Sequence, residues 1–347
     1  MGSPKTVIKY GALSALEATT AYGTAVTLTA SVHGLDIITP PACETLYMHD
    51  GERAGKSPAE RASRQRVGRM GRYGSAKLEY EPAGGGAAYD GTIVPNVHTA
   101  LLSGGMIATM ATATATISSV TYTPAPAGSE QSATTEIYYR GQQYPLAGCY
   151  SSWVLGSEIP GIPKLSCDVM GLFSSLPVDA ALPTITYSAF KNPAKAEGVN
   201  LIAVVVVGTA TATFTVGRIA SFELGCANDI VARAHDNTAN KHGGFNMGIE
   251  RKFTLKASIE SEALTTAVPY AATAGFNIFQ LMEQAPTMAL SFTVGGTQFY
   301  RYTISAPAAQ LVSAPEQILG AASMWDLEFE LKPTALTAND EVSWLFN

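Results

Sequence analysis

The sequence predicts a mainly β chain with a few short helices, built from one pattern written twice. Three observations carry that prediction. Short stretches alternate apolar with polar residues, as in Ser75–Glu81 (SAKLEYE), Phe253–Glu260 (FTLKASIE) and Trp325–Lys332 (WDLEFELK), which is the period of a half-buried strand. Helical signals are scarce. The strand, helix, hairpin and closing segment of the first half recur in the same order in the second, the mark of an internal duplication.

Taken in order, residues 1–30 are polar and Thr-rich with no core of their own and read as an N-terminal arm. A first domain spans 31–183, with a long basic segment at about 43–72. Within that segment Pro58–Met70 reads as a helix, with Ser57 and Glu60 in capping-box spacing but Gly68 inside. The strand Ser75–Glu81 leads to a helix at Pro95–Ser103 (PNVHTALLS), with proline in its first turn and Gly104–Gly105 as its stop. After an insertion comes a hairpin, Ile137–Tyr139 and Gln142–Leu146 around Arg140–Gly141, and Leu155–Leu172 closes the unit. At 184–200 alternation stops and Lys, Pro and Asn appear, as in a linker.

The second domain spans 201–347. Leu201–Val207 (LIAVVVV) falls well short of the ~20 residues of a membrane helix, and its β-branched content reads as a buried strand. The strand Phe253–Glu260 and a helix at Gly275–Gln284 follow. A hairpin, Met288–Val294 and Thr297–Tyr302, is expected to turn tightly at Gly295–Gly296. Leu311–Lys332 closes the unit, and Asp326 stands where Asp168 stands in the first closing segment.

Composition narrows the function. The net charge of −6 argues against a protein that grips nucleic acid, and only 14% of residues are charged. A surface left to Thr, Ser, Ala and Gly suits a protein covered by copies of itself. Cys43, Cys149, Cys167 and Cys226 form no CxxC pair and read as small buried hydrophobes. Met1–Gly11 has no apolar core, so no signal peptide is expected.

No motif for chemistry emerges. Phosphate-loop and nucleophile-elbow patterns are missing, and Gly84–Gly86 leads into Ala-Ala-Tyr. His235 and His242, beside Asp236, read as a solvated loop before they read as metal ligands. Glu79 with Glu81, and Glu328 with Glu330, share one face of a strand about 7 Å apart, as on a polar sheet face. The expectation is a non-enzyme without a cofactor. The one basic cluster, Arg53, Lys56, Arg61, Arg64, Arg66, Arg69 and Arg72, fits either a solvated helix face or a nucleic-acid patch, although no aromatics are interleaved.

An ordered set of phrases runs Leu16–Thr27 (LEATTAYGTAVT), Val94–Gly105, Val120–Pro124 (VTYTP), Ile137–Gly141 (IYYRG), Gly161–Leu172 and Pro177–Tyr187 (PVDAALPTITY). In that order the set resembles the tail tube (major tail) proteins of long-tailed, siphovirus-like bacteriophages. The resemblance implies β-sandwich or barrel units, each flanked by a helix, in rings stacked into a tube that conducts the genome. Most such proteins carry one unit and close as hexamers. Two units per chain imply a trimer with pseudo-sixfold symmetry, with a hexamer of whole chains as the alternative.

The implied partners are further copies of the chain, the tail terminator and the tail-tip proteins. Tape measure protein and double-stranded DNA would pass through the lumen unbound, and no membrane is involved. The implied location is the virion tail, assembled in the host cytoplasm. The basic cluster takes the role of the family's ring-stacking loop. Glu79, Glu81, Asp326, Glu328 and Glu330 become candidates for lining the lumen. Other readings are a baseplate or capsid-decoration protein, or a carbohydrate-binding β-sandwich. The last would want grouped exposed aromatics, whereas Trp153, Trp325 and Trp344 are scattered along the chain.

Overall fold

The computed structural model describes residues 9–19, 22–41, 43–49, 69–89, 93–113, 117–185, 192–207, 210–232, 244–260, 278–284, 286–319, 322–335 and 337–347. The chain is mainly β, and its 18 named strands join in one antiparallel system. The first half holds β1 (Tyr10–Leu16), β2 (Gly34–Leu35), β3 (Cys43–His49), β4 (Arg69–Tyr80), β5 (Met106–Ala113), β6 (Ile117–Pro124), β7 (Ala133–Tyr139), β8 (Gln142–Glu158), β9 (Lys164–Phe173) and β10 (Val178–Asp179). The second holds β11 (Asn200–Val207), β12 (Ala210–Ala232), β13 (Phe245–Glu260), β14 (Met288–Val294), β15 (Tyr302–Ser313), β16 (Glu316–Leu319), β17 (Ala322–Lys332) and β18 (Ser343–Phe346). Helix α1 (His98–Ser103) follows β4, and α2 (Ile278–Gln284) follows β13.

Each half closes a circuit of strands. In the first the pairing runs β1–β7–β8–β9–β4. It returns through the segment after β2: Gly34 and Leu35 pair with β1, Ile37 bridges to Tyr80, and Ile38 N–H donates to Glu79 O at 2.9 Å. In the second it runs β11–β14–β15–β17–β13–β12 and back to β11. Closure leaves few free edges and lets one row of alternating side chains fill each interior. Leu78 and Tyr80 on β4, Leu165 and Cys167 on β9, Leu255 and Ile259 on β13, and Leu327 and Phe329 on β17 are all buried.

The halves are locked together by extensions of these circuits. The last stretch of β8 pairs with β12, Trp153 opposite Cys226 through Glu158 opposite Ser221. The C-terminal strand β18 pairs with β15 and also with β6 of the first half. Around that junction Trp344 packs against Trp153, Tyr302 and Phe346 at ring-centroid distances of 6.0, 5.3 and 5.4 Å. Arg251 on β13, largely buried, holds Glu341 at 3.0 Å and donates to Asn339 and to the Ala125 carbonyl of the first half.

Several expectations are met in place. The Arg140–Gly141 turn has φ of 55° and 78°, the left-handed pair of a primed hairpin turn. Helix α1 stops at Gly104, and α2 lies within the expected Gly275–Gln284. Other expectations need correction. The span 1–30 is not an arm throughout, because Tyr10–Leu16 pairs along its whole length with β7 and buries Ala12 and Leu13. The linker 184–200 is built into the fold where it is described: Ala194, Ala196 and Val199 are buried, and Ala196 bridges to Gly161.

Gly295–Gly296 does not make a two-residue turn either. Val294 pairs with Tyr302, so the loop is wider, and its tip reaches the first half, where Tyr89 O–H donates to Phe299 O at 3.3 Å. Leu201–Val207 is a strand with one face buried rather than two, since Ile202 is exposed. Of the segment 43–72, both ends are strand: Cys43–His49 pairs with Arg69–Ala76. The expected helix at Pro58–Met70 lies outside the described residues except for Arg69 and Met70, which belong to β4.

Candidate functional surface

The pairings that join the halves also make one continuous sheet. It runs β3–β4–β9–β8–β12–β13–β17–β16, each strand antiparallel to the next. Alternation sends one set of side chains into the cores and the other to a single outer face. The register fixes what meets on that face. One row crosses Glu79, Ser166, Val154, Gly225, Thr254 and Glu330. The next crosses Lys164, Gly156, Glu223, Lys256 and Glu328.

The two acidic groups singled out in the sequence therefore stand on one face of one sheet, at opposite ends of these rows. Glu79 pairs with Lys77 at 3.3 Å and Glu330 with Lys332 at 3.7 Å. Asp326 lies opposite Ser258, and Glu328 opposite Lys256. Lys256 in turn lies 3.9 Å from Glu223, with both side chains more than half exposed. Such exposed pairs contribute little stability, so their value is to the character of the surface. Glu81 stands just past β4, where its carbonyl accepts from Asn96 Nδ2 at 2.8 Å.

Between their charged members the rows carry Ser166, Val154, Gly225, Thr254 and Gly156. The face is also hollowed: a groove of about 820 Å³ runs over Gly156, Glu158, Glu223, Lys256, Asp326 and Glu328. Among the described residues, the register puts Glu44, Glu79, Glu158, Asp168, Glu223, Glu260, Asp326, Glu328 and Glu330 on this face, with Lys77, Lys164, Lys252, Lys256 and Lys332 among them. Lys77 and Lys332 share these strand faces in the sequence pattern too, whereas Glu158, Glu223, Lys164, Lys252 and Lys256 were not singled out from it. The alternation of Ser221–Ala227 (SFELGCA) held the signal for Glu223, but only the pairing of β12 with β8 sets it beside the first half.

Of the basic cluster, Arg69 and Arg72 are placed on β4 by their backbone, while Arg53, Lys56, Arg61, Arg64 and Arg66 lie outside the described residues, as do His235 and His242. Among the described residues no group of three His, Cys, Asp or Glu side chains is arranged to hold a metal ion, and no helix is long and apolar enough to cross a membrane. Burial pushes the thiols of Cys149 and Cys226 up to about 12, so they stay protonated and unreactive. No protein-family model matches the chain, and no curated protein matches it.

Proposed function

We propose that the chain is a structural subunit of the tail tube of a long-tailed bacteriophage, two copies of one barrel unit fused in tandem and polymerising as trimeric, pseudo-sixfold rings stacked around a channel. One observation carries the reading: a single sheet passes through both halves, with a polar, hollowed face and, among the described residues, a strand paired on one side only at each end. The equal order of strands in the two circuits supports the duplication. A ring needs such a sheet, because a strand edge left open by one copy is covered by the next, and closure covers them all.

The face suits a channel wall. DNA held by many phosphate contacts would stall, so a wall that conducts it has to favour carboxylates and small side chains over clustered lysine and arginine. Arg69 and Arg72 of the basic cluster fall on β4, a strand of this sheet, and the cluster as a whole serves ring stacking in this reading. Negative-stain microscopy of the purified chain, alone and with a tail-tip nucleus, tests the proposal. Rings or tubes are the expected result. A monomer that never polymerises at any concentration overturns it.

A further inference from the structure

We infer that the joint between two copies reproduces the joint between the two halves of one chain, strand for strand, with β16 of one copy pairing antiparallel to β3 of the next. The inference rests on the ring reading above and adds the contact and its register to it.

The sheet ends in β3 on one side and β16 on the other. Among the described residues β3 pairs only with β4, and β16 only with β17. Each has a counterpart in the other half that is not open. β15 and β16 run against β17 as β8 runs against β9, and both courses carry one bulge: between Leu311 and Ser313 in one, between Ala147 and Tyr150 in the other. Aligning these bulges also sets Asp326 on Asp168, the match read from sequence. It makes Glu316–Leu319 the counterpart of Trp153–Gly156, because Glu316 faces Trp325 as Trp153 faces Cys167. By the same alignment β3 is the counterpart of the middle of β12, Cys43 opposite Ala76 as Phe222 is opposite Ala257.

Within the chain those counterparts are bonded to each other: Trp153 to Cys226, Val154 to Gly225, Leu155 to Leu224 and Gly156 to Glu223. Carrying that register over gives four pairs between copies: Glu316 with Tyr47, Gln317 with Leu46, Ile318 with Thr45 and Leu319 with Glu44. A separate observation points the same way. Ile318 is 81% exposed, whereas its counterpart Leu155 is 0% exposed. A large apolar side chain so bare on an edge strand is a liability unless something covers it, and the carried-over joint covers this one.

Disulfide trapping tests the register. Directly opposed residues of an antiparallel pair have Cα atoms about 4.5–5.5 Å apart, within disulfide reach. In a Cys43→Ser background, Thr45→Cys with Ile318→Cys is oxidised after assembly and run on a non-reducing gel, beside Leu46→Cys with Ile318→Cys, one residue out of register. The expected result is a ladder ending at a covalent trimer, with about tenfold more product than the slipped pair.

As a second arm, Ile318→Lys should leave the thermal melt of the monomer unchanged and raise the concentration needed for assembly by about tenfold or more. Rings that form but cross-link equally well out of register overturn the inference and leave the ring reading standing. Ile318→Lys assembling like the wild type does the same. A wild-type chain that makes no rings removes both.

Discussion

Reversing the charge of the shared sheet face gives the most direct functional test. Carboxylates and lysines alternate on that face, and Glu79→Lys, Glu328→Lys and Glu330→Lys together shift its charge by +6 per chain. In a ring of three copies nine lysines are introduced. Suppose about three of them engage phosphates at any moment. The hold on DNA then falls roughly 500-fold for a tenfold rise in salt, since each contact contributes about 0.9 to the slope. The assay is genome ejection from tails assembled with the variant, timed at several salt concentrations. Ejection is expected to stall at low salt and recover as salt rises. The matching glutamine variants, which remove charge without adding any, should eject close to normally. Normal ejection at low salt from fully assembled lysine-variant tails would refute the reasoning, because that face then does not meet the DNA.

Three further outcomes are expected. Glu17 is 1% exposed, and its carboxylate accepts from Gly23 N, Ser132 Oγ, Thr134 Oγ1 and Gly148 N at 2.7–2.9 Å. Glu17→Gln sets an amide N–H against two of these donors, which should cost about 3–5 kcal/mol and lower the melting midpoint by roughly 5–10 °C in calorimetry. Burial lowers the His98 pKa to about 4, beside Tyr122 O–H at 2.7 Å. Between about pH 6.5 and 4 the unfolded chain binds a proton that the folded chain refuses, so stability should fall with pH over that window, by no more than about 3 kcal/mol. His98→Gln should flatten that part of a urea-midpoint profile. Deleting Ser57–Arg66 should leave the β-sheet circular dichroism intact and abolish tube elongation, and full-length tubes from that variant would remove the stacking role.

Much of the fold was legible because strands announce themselves locally. The alternation of SAKLEYE, FTLKASIE and WDLEFELK, and the helix stop at Gly104–Gly105, depend on near neighbours and survive into the structure. Elements that depend on distant partners were misread. Tyr10–Leu16 looks like a polar lead-in until β7 covers it, and Gly295–Gly296 looks like a tight turn until the loop is drawn out to meet Tyr89. The acidic rows were visible as strand faces. That both stand on the same face was not visible, because parity between the halves passes through the pairing of Leu155 with Leu224, a contact between residues far apart in sequence.

The proposed fusion of two units also bears on how such a ring would be built. With one unit per chain a sixfold ring closes six equal joints between separate molecules. With two, three joints are made within the chain during folding, where the effective concentration of one half near the other is high at no cost in association entropy. The internal joint is heavily backed: besides the paired strands it has the Trp153–Trp344 contact, the β18–β6 pairing and the hold of Arg251 on the Ala125 carbonyl. The carried-over external joint has four residue pairs and a bare Ile318. On the proposed reading that asymmetry is what assembly requires. A joint that waits for a tail-tip nucleus has to be weak in solution, and it would become strong only when ring closure makes the last contact intramolecular and stacking adds a second interface.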